Sequence, residues 1–133
     1  MNEEQLAGIA NDMRIDIVRM IAEAGSGHPG GSLSCADILS VLYFDTMKHD
    51  PSNPKNEDRD RFILAKGHAA PALYAALAES GYFPKEELVT LRKLGTRLQG
   101  HPDMNLLPGV EVSTGSLAQG LSIASGMPCG MKL

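Results

Sequence analysis

The sequence predicts an α/β fold that is mostly helical with one clear strand, and it predicts an incomplete one. Apolar residues recur at helical spacing over most of the chain. One short run, Phe62-Ile63-Leu64-Ala65, reads instead as a buried strand halted by Gly67. A single strand leaves its backbone donors and acceptors unpaired, and such groups cannot be buried without partners. Either the fold is all-α and that run is not a strand, or further chain completes a sheet. The second reading is the expectation here.

The elements follow in order. Asn2 with Gln5 three residues on is a capping-box signature. Leu6, Ile9, Ala10, Met13, Ile17, Met20, Ile21 and Ala24 then repeat at helical spacing until Gly25 and Gly27 end the run. A second helix is predicted from about Ser34 to Met47, apolar nearly all round and therefore buried. Lys48 to Asp60 is polar, contains Pro51 and Pro54, and reads as a connecting loop. After the strand a third helix runs to Ser80, with Pro71 in its first turn and Gly81 just past its end. A short helix starts near Pro84 and reaches about Leu94. From Gly95 to Ser116 there is no periodicity, and loops this long inside a compact domain are usually functional. A last helix opens near Leu117, and Pro128 is expected to kink or break it.

Composition narrows the function classes. The 133 residues make one domain or part of one. A net charge of -4 provides no basic footprint for nucleic acid. The apolar stretches are broken by charges well short of a membrane span. The acidic start, Met1-Asn2-Glu3-Glu4, is unlike a secretory signal. Cys35 and Cys129 match no metal or redox spacing. The expectation is a reduced, cytoplasmic protein with no nucleic-acid or membrane partner.

The histidines carry the chemical signal. Of the 4 in the chain, His28, His68 and His101 each follow a glycine, although glycine is only 14 of 133 residues. His28 and His101 are also followed by Pro29 and Pro102. Proline pushes the residue before it into an extended conformation, and glycine allows close backbone approach. Each pair presents an imidazole where a predicted element ends, which is where α/β proteins place functional groups. A lone loop histidine is more often structural than catalytic, but three in matched contexts shift that balance. A zinc site is the alternative, and no Cys or carboxylate stands at ligand spacing from them. His49 lacks the glycine frame and is expected to be exposed. A second signal is Ser113-Thr114-Gly115-Ser116, small hydroxyl residues directly before a predicted helix, whose N–H groups point outward. Alone it would read as an ordinary helix cap.

Taken in order, Ser26-Gly27-His28-Pro29-Gly30-Gly31, Asp58-Arg59-Asp60-Arg61-Phe62-Ile63-Leu64, Gly67-His68, Gly100-His101-Pro102 and Gly109-Val110-Glu111-Val112-Ser113-Thr114-Gly115-Ser116-Leu117 resemble the transketolase family. The resemblance runs from about Leu6 to Gly126 and is closest in flavour to the N-terminal chain of split transketolases. It implies that residues 1–133 form the N-terminal part of a thiamine diphosphate-binding domain. It further implies transfer of a two-carbon ketol unit between sugar phosphates, in the pentose phosphate pathway. The implied catalytic residues are His28, beside the reacting carbons, and His101, on the substrate's terminal hydroxyl and the bound two-carbon unit. The implied cofactor-binding residues are His68, Gly115, Ser116 and Leu117. A group with pKa near neutrality suits the proton transfers such a reaction needs, while the carbanion chemistry belongs to the cofactor.

The resemblance also sets expectations about what lies elsewhere. The family's Mg2+ ligands, a Gly-Asp-Gly and a distant Asn, are expected outside this chain, as is the glutamate that activates thiamine. No metal ligand is therefore assigned here, and the isolated chain is expected to be inactive. The complete enzyme would pair this section with a C-terminal section or subunit and form a homo-oligomer, a dimer. Lys66 stands where many relatives have Asn, Ala118-Gln119-Gly120 departs from the usual Gly-Gln-Gly, and Pro128 and Cys129 suit a continuing helix poorly. The rival readings are a non-catalytic truncated fragment and part of a deoxyxylulose-phosphate synthase-like enzyme. The paired Gly-His-Pro motifs favour transketolase over the latter.

Overall fold

The capping box closes as predicted in the computed structural model, which describes residues 1–131. The Gln5 amide donates to Asn2 Oδ1 at 2.8 Å and the Asn2 amide to Gln5 Oε1 at 3.1 Å, starting α1 (Glu3–Ala24). Two of the helix's orphan donors are thereby satisfied, and Glu3 and Glu4 favour the positive end of its dipole. Gly25 ends α1 in the left-handed conformation, φ 63°. The buried stripe of α1 (Ala10, Met13, Ile17, Met20) packs on α3 (Ala36–Val41) and α4 (Ala70–Glu79). Each of the larger side chains on that stripe contributes about 1.5–3 kcal/mol on leaving water.

The pillar of the fold is α4. Every residue from Ala70 to Ala78 is buried, and five of them are alanines, so neighbouring elements approach it from all sides. Pro71 stands in its first turn, where the missing N–H would have no partner anyway. α2 (Pro29–Leu33) and the 3₁₀ turn Gly67–Ala69 meet at its N-terminal end. The 3₁₀ turn Lys85–Thr90 packs on its side and on α1. The last element is α5 (Gln119–Met131).

Four expectations change. Phe62–Ala65 is not a strand, and no residue described is in one, so the described chain is helical with loops. The reason is the one that made a lone strand suspect: among the described residues no segment pairs with the run in a ladder. Its chemistry is nevertheless used, since Leu64 is buried and its carbonyl accepts from Thr114 Oγ1 at 2.7 Å. The helix predicted from Ser34 to Met47 is α3 followed by a widened π turn, Leu42–Thr46. The helix after Pro84 is only the 3₁₀ turn. Pro128 does not break α5, which continues through it to Met131 with one backbone donor lost.

The long loop is tied down by charge. Arg59 grips Glu111 with two bonds, Nε to Oε1 at 2.9 Å and Nη2 to Oε2 at 2.7 Å, and Arg61 Nη1 adds a third at 3.4 Å. The side chains of Arg59 and Glu111 are only 13% and 10% exposed. Two of the motif segments are thus joined by a nearly buried, bidentate pair, the geometry in which a guanidinium–carboxylate contact is strongest.

Candidate functional site

Each Gly-His turn is held by an element the core fixes. His28 is the N-cap of α2, with extended backbone (φ -111°, ψ 113°) set by the following Pro29. His68 lies in the turn that runs into α4. Tyr74 of α4 holds the third loop: its hydroxyl donates to the Gln99 carbonyl at 2.8 Å, with the His101 carbonyl 3.3 Å away sharing the same proton. Burial pushes the Tyr74 phenol above its ordinary range, so it remains a donor.

These supports bring His68 and His101 edge to face, with ring centroids 4.6 Å apart and planes at 78°. The loop that carries His28 is tied to both turns, with no ring contact of His28 to either imidazole. Lys66 Nζ donates to the Gly31 carbonyl at 2.7 Å and to Ser34 Oγ at 3.2 Å, which ties α2 to the His68 turn. Arg92 Nη1 donates to Ser26 Oγ at 3.4 Å while its guanidinium lies against Gly100, which ties the same loop to His101. All three imidazoles are exposed, as groups that meet a ligand must be. The His101 ring is held below the ordinary histidine range, first by partial desolvation and then by the electrostatic influence of the neighbouring His68 and Arg92.

The remaining wall is the segment before α5. Gly67 packs so tightly on it that a Cβ there would overlap the Thr114 carbonyl, and Gly115 lies beside the His101 ring. A polar cleft of about 430 Å³ opens between Gln99–Asp103 and Ser113–Thr114. The amides of Gly115, Ser116 and Leu117 donate to no acceptor among the described residues, and Ser116 and Leu117 are exposed. Free amides beside two imidazoles and a small-residue floor fit a polar heteroaromatic cofactor. Among the described residues no three His, Cys, Asp or Glu side chains gather as metal ligands.

His49 departs from expectation. It is half-buried, with Nε2 2.6 Å from the Tyr43 carbonyl and Nδ1 3.1 Å from the Tyr82 hydroxyl. Protonated on Nε2, it donates to the carbonyl and accepts from Tyr82 at Nδ1. The acceptor belongs to the widened turn, so His49 is a structural histidine of the loop after α3. The sequence reading passed over Arg92 as a site residue. Only its position, reached through Leu98 and Gly100, reveals it, and nothing in its immediate neighbours marks it.

The fold is that of a thiamine diphosphate-binding domain. Residues 6–132 match the family described as transketolase, thiamine diphosphate binding domain, and the chain belongs to that family. Among its relatives is a 6-deoxy-6-sulfo-D-fructose transketolase subunit of Clostridium sp. (strain MSTE9), 49% identical over 100% of this chain and 49% of the relative. Transketolase of Mus musculus is 47% identical over 93% of this chain and 20% of its own length. The solved transketolase of Campylobacter jejuni superposes with a TM-score of 0.88 at 44% identity, covering 95% of this chain and 20% of that one. The chain therefore spans about half the length of the subunit relative and about a fifth of the transketolases. No helix among the described residues is long and apolar enough to cross a membrane.

Proposed function

We propose that residues 1–133 are the N-terminal part of a thiamine diphosphate-binding domain in a transketolase that moves a two-carbon ketol unit between sugar phosphates. The observation that carries the reading is the convergence of the His68 and His101 rings, 4.6 Å apart, with the Gly115 backbone beside the His101 ring. When bound, thiamine diphosphate supplies the carbanion chemistry. His68 and the amides of Gly115, Ser116 and Leu117 hold it. His28 and His101 orient the sugar hydroxyls and move protons to and from them. The downward shift of the His101 pKa, caused first by partial desolvation, favours the neutral ring, the form that accepts a proton.

The Mg2+ that accompanies the cofactor's diphosphate is held by residues outside this chain, as is the activating glutamate. The working unit includes a C-terminal transketolase section or subunit and is a homo-oligomer in the cytoplasm, serving pentose phosphate metabolism. Support for the complementary section comes from the subunit relatives, each covering about twice this chain's length.

The test joins this chain to a complementary transketolase section, with thiamine diphosphate and Mg2+, and measures ketol transfer between sugar phosphates. Turnover is expected from the assembled protein and none from the chain alone. His28→Ala and His101→Ala should lower kcat about 10²–10⁴-fold with cofactor binding retained. His68→Ala should weaken cofactor binding as well. Ketol transfer by the isolated chain, or equal effects at all three histidines, would overturn the assignment.

A further inference from the structure

Arg92 is a backbone outlier at the edge of the cleft. Its φ of 61° is left-handed, a conformation that glycine adopts freely and that strains a residue carrying a Cβ. Such strain persists where surrounding contacts over-determine it, and it concentrates at functional sites. Here the Arg92 amide donates to the Leu98 carbonyl at 3.0 Å, closing the turn that leads to Gly100. The left-handed backbone sends the guanidinium back across Gly100, where a Cβ would lie 3.2 Å from Nε and 3.3 Å from Cζ and Nη2. Nη1 reaches Ser26 Oγ at 3.4 Å. None of the ion pairs among the described residues includes Arg92.

We infer that Arg92 is a positioning residue of the ketol-transfer site: its guanidinium bridges the Ser26-Gly27-His28 turn to Gly100-His101 and fixes the spacing of the two histidines. The inference rests on the transketolase reading for its activity readout. A planar fork suits this task because two of its nitrogens face different loops while the plane lies flat on a glycine. Gly100 is the complement, since a methyl there would press on the guanidinium. The charged and titratable groups that act on the His101 ring are His68 from the turn before α4 and Arg92 from across Gly100, while Asp103 of its own loop lines the same cleft. Tyr74 comes up from α4 beneath the loop.

The experiment uses Arg92→Gly, Arg92→Lys and Gly100→Ala. Arg92→Gly removes the guanidinium and relieves the backbone, so its melting midpoint should equal or exceed that of the parent. A lower midpoint would mark Arg92 as merely structural and overturn the inference. In the assembled protein, kcat should fall about 10²-fold, the usual consequence of misplacing reacting groups by about 1 Å, with thiamine diphosphate affinity unchanged. Arg92→Lys should not restore the rate, because an ammonium cannot bridge both loops. Gly100→Ala should reproduce the loss by displacing the fork. Independently of any turnover, the His101 ring is titrated by NMR in the chain itself. Its midpoint should rise in Arg92→Gly and stay low in Arg92→Lys. Parental kcat in Arg92→Gly, or an unmoved His101 midpoint, would overturn the inference. An inactive parental assembly would instead sink the transketolase reading and leave the titration to decide the contact.

Discussion

Gly67→Ala is expected to take the cleft apart while the helical core stands. A methyl at position 67 overlaps the Thr114 carbonyl oxygen and falls 2.6 Å from its carbon and 2.9 Å from the Gly115 nitrogen. These are backbone atoms, which cannot rotate away as a side chain would. The segment must therefore retreat about 1 Å to regain an ordinary contact of about 3.5 Å. Overpacking costs about 1–3 kcal/mol, and a backbone obstacle places this case at the upper end. The retreat also breaks the 2.7 Å bond from Thr114 Oγ1 to the Leu64 carbonyl, worth about 1 kcal/mol. The sum is roughly 3–4 kcal/mol, and the same movement carries Gly115 away from its place beside the His101 ring. Amide exchange separates the two regions: residues 113–117 should lose most of that protection, while the fully buried α4 loses less. Thr114→Val, which removes only the hydroxyl, should show the ~1 kcal/mol part alone. Exchange of Gly67→Ala within ~0.5 kcal/mol of the parent in this segment would refute the packing argument.

Other perturbations test different supports. Glu111→Ala leaves the nearly buried Arg59 guanidinium without its carboxylate and should cost about 3–5 kcal/mol, read from the denaturant midpoint. Ala118 holds φ 73°, so Ala118→Gly should stabilise by about 1 kcal/mol in the same assay, and a loss would show that the strain is imaginary. Because the fold depresses the His101 pKa, the unfolded chain takes up that proton first as pH falls. The stability His101 contributes should be complete above the ordinary histidine value of about 6.5 and decline as pH drops through it, a limb that His101→Asn removes. Ile38, Leu117, Leu121 and Met131 are 61%, 66%, 67% and 62% exposed, so the chain alone should self-associate, with elution volume falling as concentration rises. A sharp melt as a monomer would count against it.

Much of the site could be read from the sequence because its chemistry is local. A Gly-His-Pro triplet carries its own backbone instructions, and these hold wherever the chain puts it. So His28 is an extended N-cap, and His101 sits in a loop wall as expected. The capping box and the glycine stop of α1 were legible for the same reason. What escaped were relations between distant residues. His49 resembles an exposed loop histidine until Tyr82, far along the chain, meets it and a widened turn offers a carbonyl. Arg92 is one arginine among ordinary neighbours until the turn closed by Leu98 folds it over Gly100. Ala118 lies between: the departure from Gly-Gln-Gly was visible, but only the left-handed backbone gives it a cost.

Phe62–Ala65 shows the same limit most clearly. Its apolar, β-rich composition states correctly that the run is inside, since Leu64 is only 6% exposed. A strand, however, belongs to two segments, and composition speaks for one. Here the run is fixed by other means. Thr114 takes the Leu64 carbonyl. At Gly120, the first buried residue of α5, a Cβ would lie 2.5 Å from Ala65 Cα, so the helix rests directly on the run. Gly67 then seats the next turn against Thr114 and Gly115. Two glycines and one hydroxyl thus do for this segment what a ladder of hydrogen bonds does in a sheet. They also give His68 its place, since the turn that carries it begins where those contacts end. The position of His68 beside His101 therefore depends on side-chain-free close packing, and that is why a single methyl at residue 67 reaches the cleft.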